Sequence, residues 1–186
     1  MAGLLPCNDA ILHTCEPLIK PMPINRYLGS GLLGGYLLSS IIRVLVVDDY
    51  EPWIRFVSTA LAVQPRINVV GEARNGLTAI QKVAELKPDV VVLDIGLPDM
   101  NGIQVARQIL ELAPTTHILF LTEHTEQEVV RDALLTGAQG YVVKSSAARE
   151  LLPALDALLL GCYFVSAAAA APKLDSVPIF KRLGDA

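Results

Sequence analysis

The chain has 186 residues, 52% hydrophobic and 5% aromatic, with 15 Lys and Arg against 19 Asp and Glu for a formal net charge of -4. That length suits one domain of ordinary size with flanking segments and excludes two full ones. The acidic balance and the lack of any basic run exclude general nucleic-acid affinity, which needs clustered Lys and Arg to displace phosphate counterions.

Residues 1–40 differ in pattern from the rest of the chain. They hold Pro6, Pro17, Pro21 and Pro23 and then a Gly/Leu/Ser stretch from Leu28 to Ser40. The uncharged run between Arg26 and Arg43 is shorter than the ~20 residues that cross a bilayer, and its glycines are poor helix formers, so no membrane span is expected. The apolar part starts late and no A-x-A-like site comes after it, which argues against a signal peptide. This N-terminal extension is read as flexible, with a membrane-surface or partner-binding role as the alternative. Cys7, Cys15 and Cys162 lack a metal-ligand spacing and their odd number argues against a disulfide framework; free thiols and a cytoplasmic location are expected.

From Ile41 the pattern becomes regular. An apolar strand, Ile42 to Val47, ends on Asp48-Asp49, and Pro52 is well placed for the first turn of a helix carrying Ile54, Val57 and Leu61 inward, stopped by Pro65. A strand from Ile67 to Gly71 comes next. The second helix, Gly76 to Lys87, is expected to bury Leu77, Ile80, Val83 and Ala84. Val90 to Leu93 then reads as a strand buried on both faces and ending on Asp94. Pro98 and Asn101-Gly102 mark a short stiff turn before a helix with Val105, Ala106, Ile109 and Leu110 inward, stopped by Pro114.

The strand His117 to Thr122 adds a hydroxyl at its end. A helix from Thr125 to Thr136 opens on Thr-x-x-Glu, a capping box between Thr125 and Glu128, and Gly137 closes it. A strand from Gly140 to Val143 ends on Lys144, and the last helix, Ser146 to Gly161, carries Leu151, Leu152, Leu155, Leu158 and Leu159 on one stripe. This regular alternation implies right-handed crossovers and a parallel sheet. Strands of one parallel sheet end on one edge, where α/β folds place their ligand crevice. Asp48, Asp49, Asp94, Thr122 and Lys144 are therefore expected in one pocket. Gathered carboxylates oppose one another's ionisation, and a hard divalent cation such as Mg²⁺ relieves that.

With these residues in order, each at a strand end, residues 41–165 resemble a receiver domain of a two-component response regulator. The spacings fit the resemblance: 45 residues from Asp49 to Asp94, 28 on to Thr122 and 22 on to Lys144. It implies an α/β, flavodoxin-like (βα)5 three-layer sandwich around a central parallel five-stranded sheet. It further implies a signalling protein, not an enzyme, that accepts a phosphoryl group on Asp94 from a sensor histidine kinase or phosphotransfer protein. By the same resemblance Mg²⁺ is held by Asp49, Asp94 and the Gly96 carbonyl, with Asp48 acting through water, while Lys144 and Thr122 neutralise and orient the phosphoryl group. Thr122 and Tyr141 are the implied switch pair, and a homodimer is a possible output.

Three features bear on alternatives. Glu123 stands where the family usually keeps a small residue, which supports a phosphorylation-independent binding module of the same fold. Gly96 stands where aspartate-dependent phosphatases carry a second acid, which argues against such an enzyme. The ending Gly161 to Ser166 resembles receivers that precede a helix-turn-helix domain, yet residues 166–186 hold no recognition-helix pattern and are read as a C-terminal tail or a linker cut short, without direct nucleic-acid binding.

Overall fold

The computed structural model describes residues 41–169; the expectations for residues 1–40 and 170–186 lie outside them. Six parallel strands form one sheet in the order β2-β1-β3-β4-β5-β6. These are β1 (Ile42–Val47), β2 (Ile67–Ala73), β3 (Val90–Leu93), β4 (His117–Thr122), β5 (Gly140–Val143) and β6 (Phe164–Val165). The intervening helices are α1 (Glu51–Ala62), α2 (Gly76–Leu86), α3 (Gly102–Leu112), α4 (Gln127–Leu134) and α5 (Ala147–Leu159). None of them is long and apolar enough to cross a membrane.

The inner strands β3, β4 and β5 are buried along their whole length because both faces are covered, whereas the edge strand β2 carries Asn68 and Glu72 and is only partly buried. Val44, Val46, Val90 and Val92 point to one core with Ile54, Val57 and Leu61 of α1 and Leu151, Leu155 and Leu158 of α5. Leu45, Val47, Val91 and Leu93 point to the other, with Ala79 and Val83 of α2, Val105 and Ile109 of α3, and Val130 and Leu134 of α4. The result is the flavodoxin-like α/β three-layer sandwich, with one strand more than expected. Phe164 and Val165 lie beside Gly140 and Tyr141 on the outer edge of β5. A two-residue strand without alternation leaves no signature in the sequence.

Other local expectations need correction. Leu77 is 58% exposed and Ala84 faces solvent, so the inward stripe of α2 is carried by Ala79 and Val83. The capping box of Thr125 and Glu128 does not form. Glu126 is the N-cap residue of α4 and its carboxylate accepts from the Thr125 amide at 3.1 Å, which starts the helix two residues late. Gly137 does close that segment, with φ +98°. Cys162 is disulfide-bonded, contrary to the free thiol expected; Cys7 and Cys15 lie outside the described residues.

The turn after β3 is held tightly. Asn101 caps α3 by accepting from the Ile103 amide at 2.8 Å. Asp99 caps α2 from across the sheet face, accepting from the amides of Gly76 at 2.8 Å and Leu77 at 3.0 Å, and those bonds lower its pKa. Gly102 is required by close approach: a Cβ there would lie 2.1 Å from the Asp94 carbonyl oxygen. Gly102→Ala is expected to destabilise the fold by more than ~2 kcal/mol, read from urea denaturation, because backbone must move.

At the opposite edge His117 is buried, and its Nδ1 has no hydrogen-bond partner among the described residues. Burial lowers its pKa from 6.5, against the pull of Asp89 and a hydrogen bond to Gln139. The unfolded chain therefore takes up the proton first, and stability is lost as pH falls below 6.5. The urea midpoint of His117→Gln is expected to fall less steeply than that of the wild type over this acid range.

Candidate functional site

The parallel register carries four side chains to the carboxyl edge of the sheet. Asp48 and Asp94 continue the ladder just beyond β1 and β3, donating from their amides to Ala73 O at 3.1 Å and Val47 O at 2.9 Å. Thr122 is the last residue of β4, and Lys144 opens a single 3-10 turn, Lys144–Ser146, straight after β5. Lys144 Nζ lies 2.7 Å from Asp48 Oδ2 and 2.8 Å from Asp94 Oδ2, with all three side chains at 8% exposure or less. The remaining carboxylate oxygens are also engaged: Asp94 Oδ1 accepts from the Ile95 amide at 2.7 Å, and Asp48 Oδ1 from the Tyr50 amide at 2.9 Å.

Two protonation equilibria are set by this packing. Burial raises the pKa of Asp48, opposed by its bonds to Lys144 and Tyr50. Burial works against the charge on Lys144, yet its hydrogen bonds to Asp48 and Asp94 outweigh it and raise the lysine pKa. Asp48 is thus perturbed mainly by loss of water, and Lys144 mainly by its two carboxylate partners.

Asp49 is exposed at the mouth of the pocket, and one carboxylate oxygen from each of Asp48, Asp49 and Asp94 lies within 4.8 Å of the other two. Opposite ligands of one Mg²⁺ are ~4.2 Å apart, so the three can hold such an ion with small side-chain adjustments or with one carboxylate acting through water. Gly96 is exposed beside them, and a Cβ there would lie 3.8 Å from Asp94 Oδ2, so its lack of a side chain leaves the acid open on that side.

Thr122 Oγ1 is buried without a hydrogen-bond partner among the described residues. Tyr141 is fully buried, its ring tilted against Phe120 and its hydroxyl donating to His124 O at 3.0 Å. That burial raises the phenol pKa. Glu123 is exposed, and His124 is 45% exposed with Nδ1 3.3 Å from the Glu126 carboxylate. All the residues expected at the edge are therefore together there. Sequence reasoning missed Asp99, which ties the Asp94 loop to α2; a carboxylate between Pro98 and Asn101 was the available signal.

Removing Lys144 leaves two buried carboxylates without their cation. Lys144→Ala is expected to lose about 1–3 kcal/mol in urea denaturation, and added Mg²⁺ is expected to stabilise the variant more than the wild type.

The model of the response regulator receiver domain matches residues 44–156. The DNA-binding transcriptional activator DevR/DosR of Mycobacterium tuberculosis is 42% identical over 115 residues, covering 62% of this chain and 53% of that protein. Response regulator protein VraR of Staphylococcus aureus is 38% identical over 114 residues, covering 61% and 54%. The chain thus spans about half the length of these curated relatives. Among solved structures, a LuxR-family two-component response regulator from Aurantimonas sp. SI85-9A1 is similar at TM-score 0.67 and 33% identity, covering 70% of this chain and 93% of that one. The response regulator domain of Thermotoga maritima CheB is similar at TM-score 0.61 and 33% identity, covering 65% and 97%. By sequence match and by architecture alike, this chain belongs to the response regulator receiver domain family of two-component systems.

Proposed function

We propose that Asp94 is the phosphoacceptor of a cytoplasmic two-component relay, taking its phosphoryl group from a phosphohistidine of a sensor histidine kinase or phosphotransfer protein. The observation that carries this reading is the Lys144 ammonium at 2.8 Å from Asp94, in a pocket whose other acids have room for a cation. In the transfer an Asp94 oxygen attacks phosphorus, the P–N bond breaks, and its electron pair stays on the imidazole nitrogen. Phosphoryl transfer asks mainly for alignment and charge neutralisation. Lys144 supplies one positive charge and moves from carboxylate to phosphoryl oxygen. Asp49, Asp94 and the Gly96 carbonyl would hold Mg²⁺, with Asp48 through water; the bound ion neutralises the charge of acceptor and donor.

Thr122 and Tyr141 then relay the change. The unpartnered Thr122 hydroxyl has a donor to offer a phosphoryl oxygen, and the loop it starts is held by Tyr141 through His124. Output passes by protein contact from residues 41–165, including a homodimer, and not by direct nucleic-acid binding. DevR/DosR is named as DNA-binding, but that protein is about twice the matched length.

The test is intact mass after incubation with acetyl phosphate, on wild type and Asp94→Asn, with and without Mg²⁺. One phosphoryl adduct is expected, requiring both Mg²⁺ and Asp94. A folded, Mg²⁺-binding protein that takes no label even at the earliest times would instead favour a phosphorylation-independent binding module, the reading that the carboxylate of Glu123 supports.

A further inference from the structure

Trp53, the single tryptophan, stands in the first turn of α1, just past the acidic loop. Its ring meets Phe56 edge-on, at a centroid distance of 5.3 Å and an interplanar angle of 86°, which fixes its tilt. Lys144 Nζ lies over that ring, 5.3 Å from the centroid. An ammonium has three donors. Two of them go to Asp48 and Asp94, so the indole covers a side of the cation that the carboxylates leave free. An indole face attracts a cation most strongly where water is thinned, and here the lysine side chain is 6% exposed.

We propose that Trp53 is a positioning residue for phosphoryl transfer: by cation–π contact it walls the Lys144 ammonium against α1 and holds it over the acid pocket. The lysine then faces an incoming phosphoryl group already oriented and partly desolvated. A long flexible stem would otherwise let a solvated ammonium sample other rotamers, at a cost paid again on each transfer. The effect on transfer rests on the phosphoacceptor reading of Asp94; the contact itself does not.

The full chain is compared with Trp53→Leu and Trp53→Phe, each checked for folding by circular dichroism. In wild-type NMR spectra the ε-methylene of Lys144, assigned by its loss in Lys144→Arg, is expected upfield of an exposed lysine because of the ring current. It is expected at the ordinary position in Trp53→Leu and between the two in Trp53→Phe. Labelling by acetyl phosphate with Mg²⁺ is expected to slow about threefold to tenfold in Trp53→Leu, the rate equivalent of a partly desolvated cation–π contact, and to recover in Trp53→Phe. A wild-type Lys144 signal at the ordinary position would overturn the proposal, and so would wild-type labelling speed in Trp53→Leu. Should Trp53→Leu not fold, an unmoved Lys144 signal in Trp53→Phe would overturn it and a partial shift would support it. Wild-type protein that takes no label while the Lys144 signal tracks the ring would sink the phosphoacceptor reading alone.

Discussion

One ammonium group makes the carboxyl edge of this sheet tenable. A parallel sheet sends every strand end to the same side, and here β1 and β3 both end on acids that are nearly excluded from water. Lys144 reaches them from β5, two strands beyond β3, and closes the arrangement with contacts of 2.7 and 2.8 Å. A shift of any one of the three strands by a residue would separate these partners by about 3.3 Å. The ion pairs therefore report register as much as they supply attraction. A buried charge cluster adds little net stability over apolar packing. Its presence on this edge is better explained by chemistry than by folding.

The sheet was legible because its inner strands are apolar on both faces and the helices between them end at Pro65, Gly137 and similar stops. The pocket was legible for a related reason: once strands are known to be parallel, the residue after each one is placed without further information. What stayed hidden depended on contacts across the chain. The carboxylate of Asp99 accepts from two amides at the start of α2, more than twenty residues earlier, and its place between Pro98 and Asn101 marks a turn acid without telling which helix it ties down. Leu77 sits on a helix whose inward side is set by small residues, Gly76 and Ala79, that let α2 lie close to α3. At α4 the Thr125 amide donates to the carboxylate of the adjacent Glu126, the bond expected to go to Glu128.

Thr122 is buried, yet among the described residues its hydroxyl has no hydrogen-bond partner. A buried hydroxyl without a partner costs about 1–3 kcal/mol, so the end of β4 gains when an acceptor is brought near. Two residues on, the same loop is tied through the His124 carbonyl to the Tyr141 hydroxyl. Pocket and tyrosine thus share a segment of only three residues, Thr122 to His124, and a displacement at one end has little slack in which to be absorbed.

Tyr141 also has a backbone role. Its carbonyl accepts from the Ser166 amide at 2.7 Å, and Val165 lies beside it in register, so β6 closes the outer margin of the sheet next to this residue. Without β6 the margin of β5 would be a row of open amides and carbonyls, ready to extend into a neighbouring molecule's strand. With it, the part of that margin formed by Gly140 and Tyr141 is paired, while Val142 and Val143 lie beyond the reach of the two-residue β6. The other margin, β2, is interrupted by the bulge opposite Val44 and Leu45. The two margins of the sheet are thus unlike: one ends on a strand of only two residues, the other on a seven-residue strand broken by a bulge.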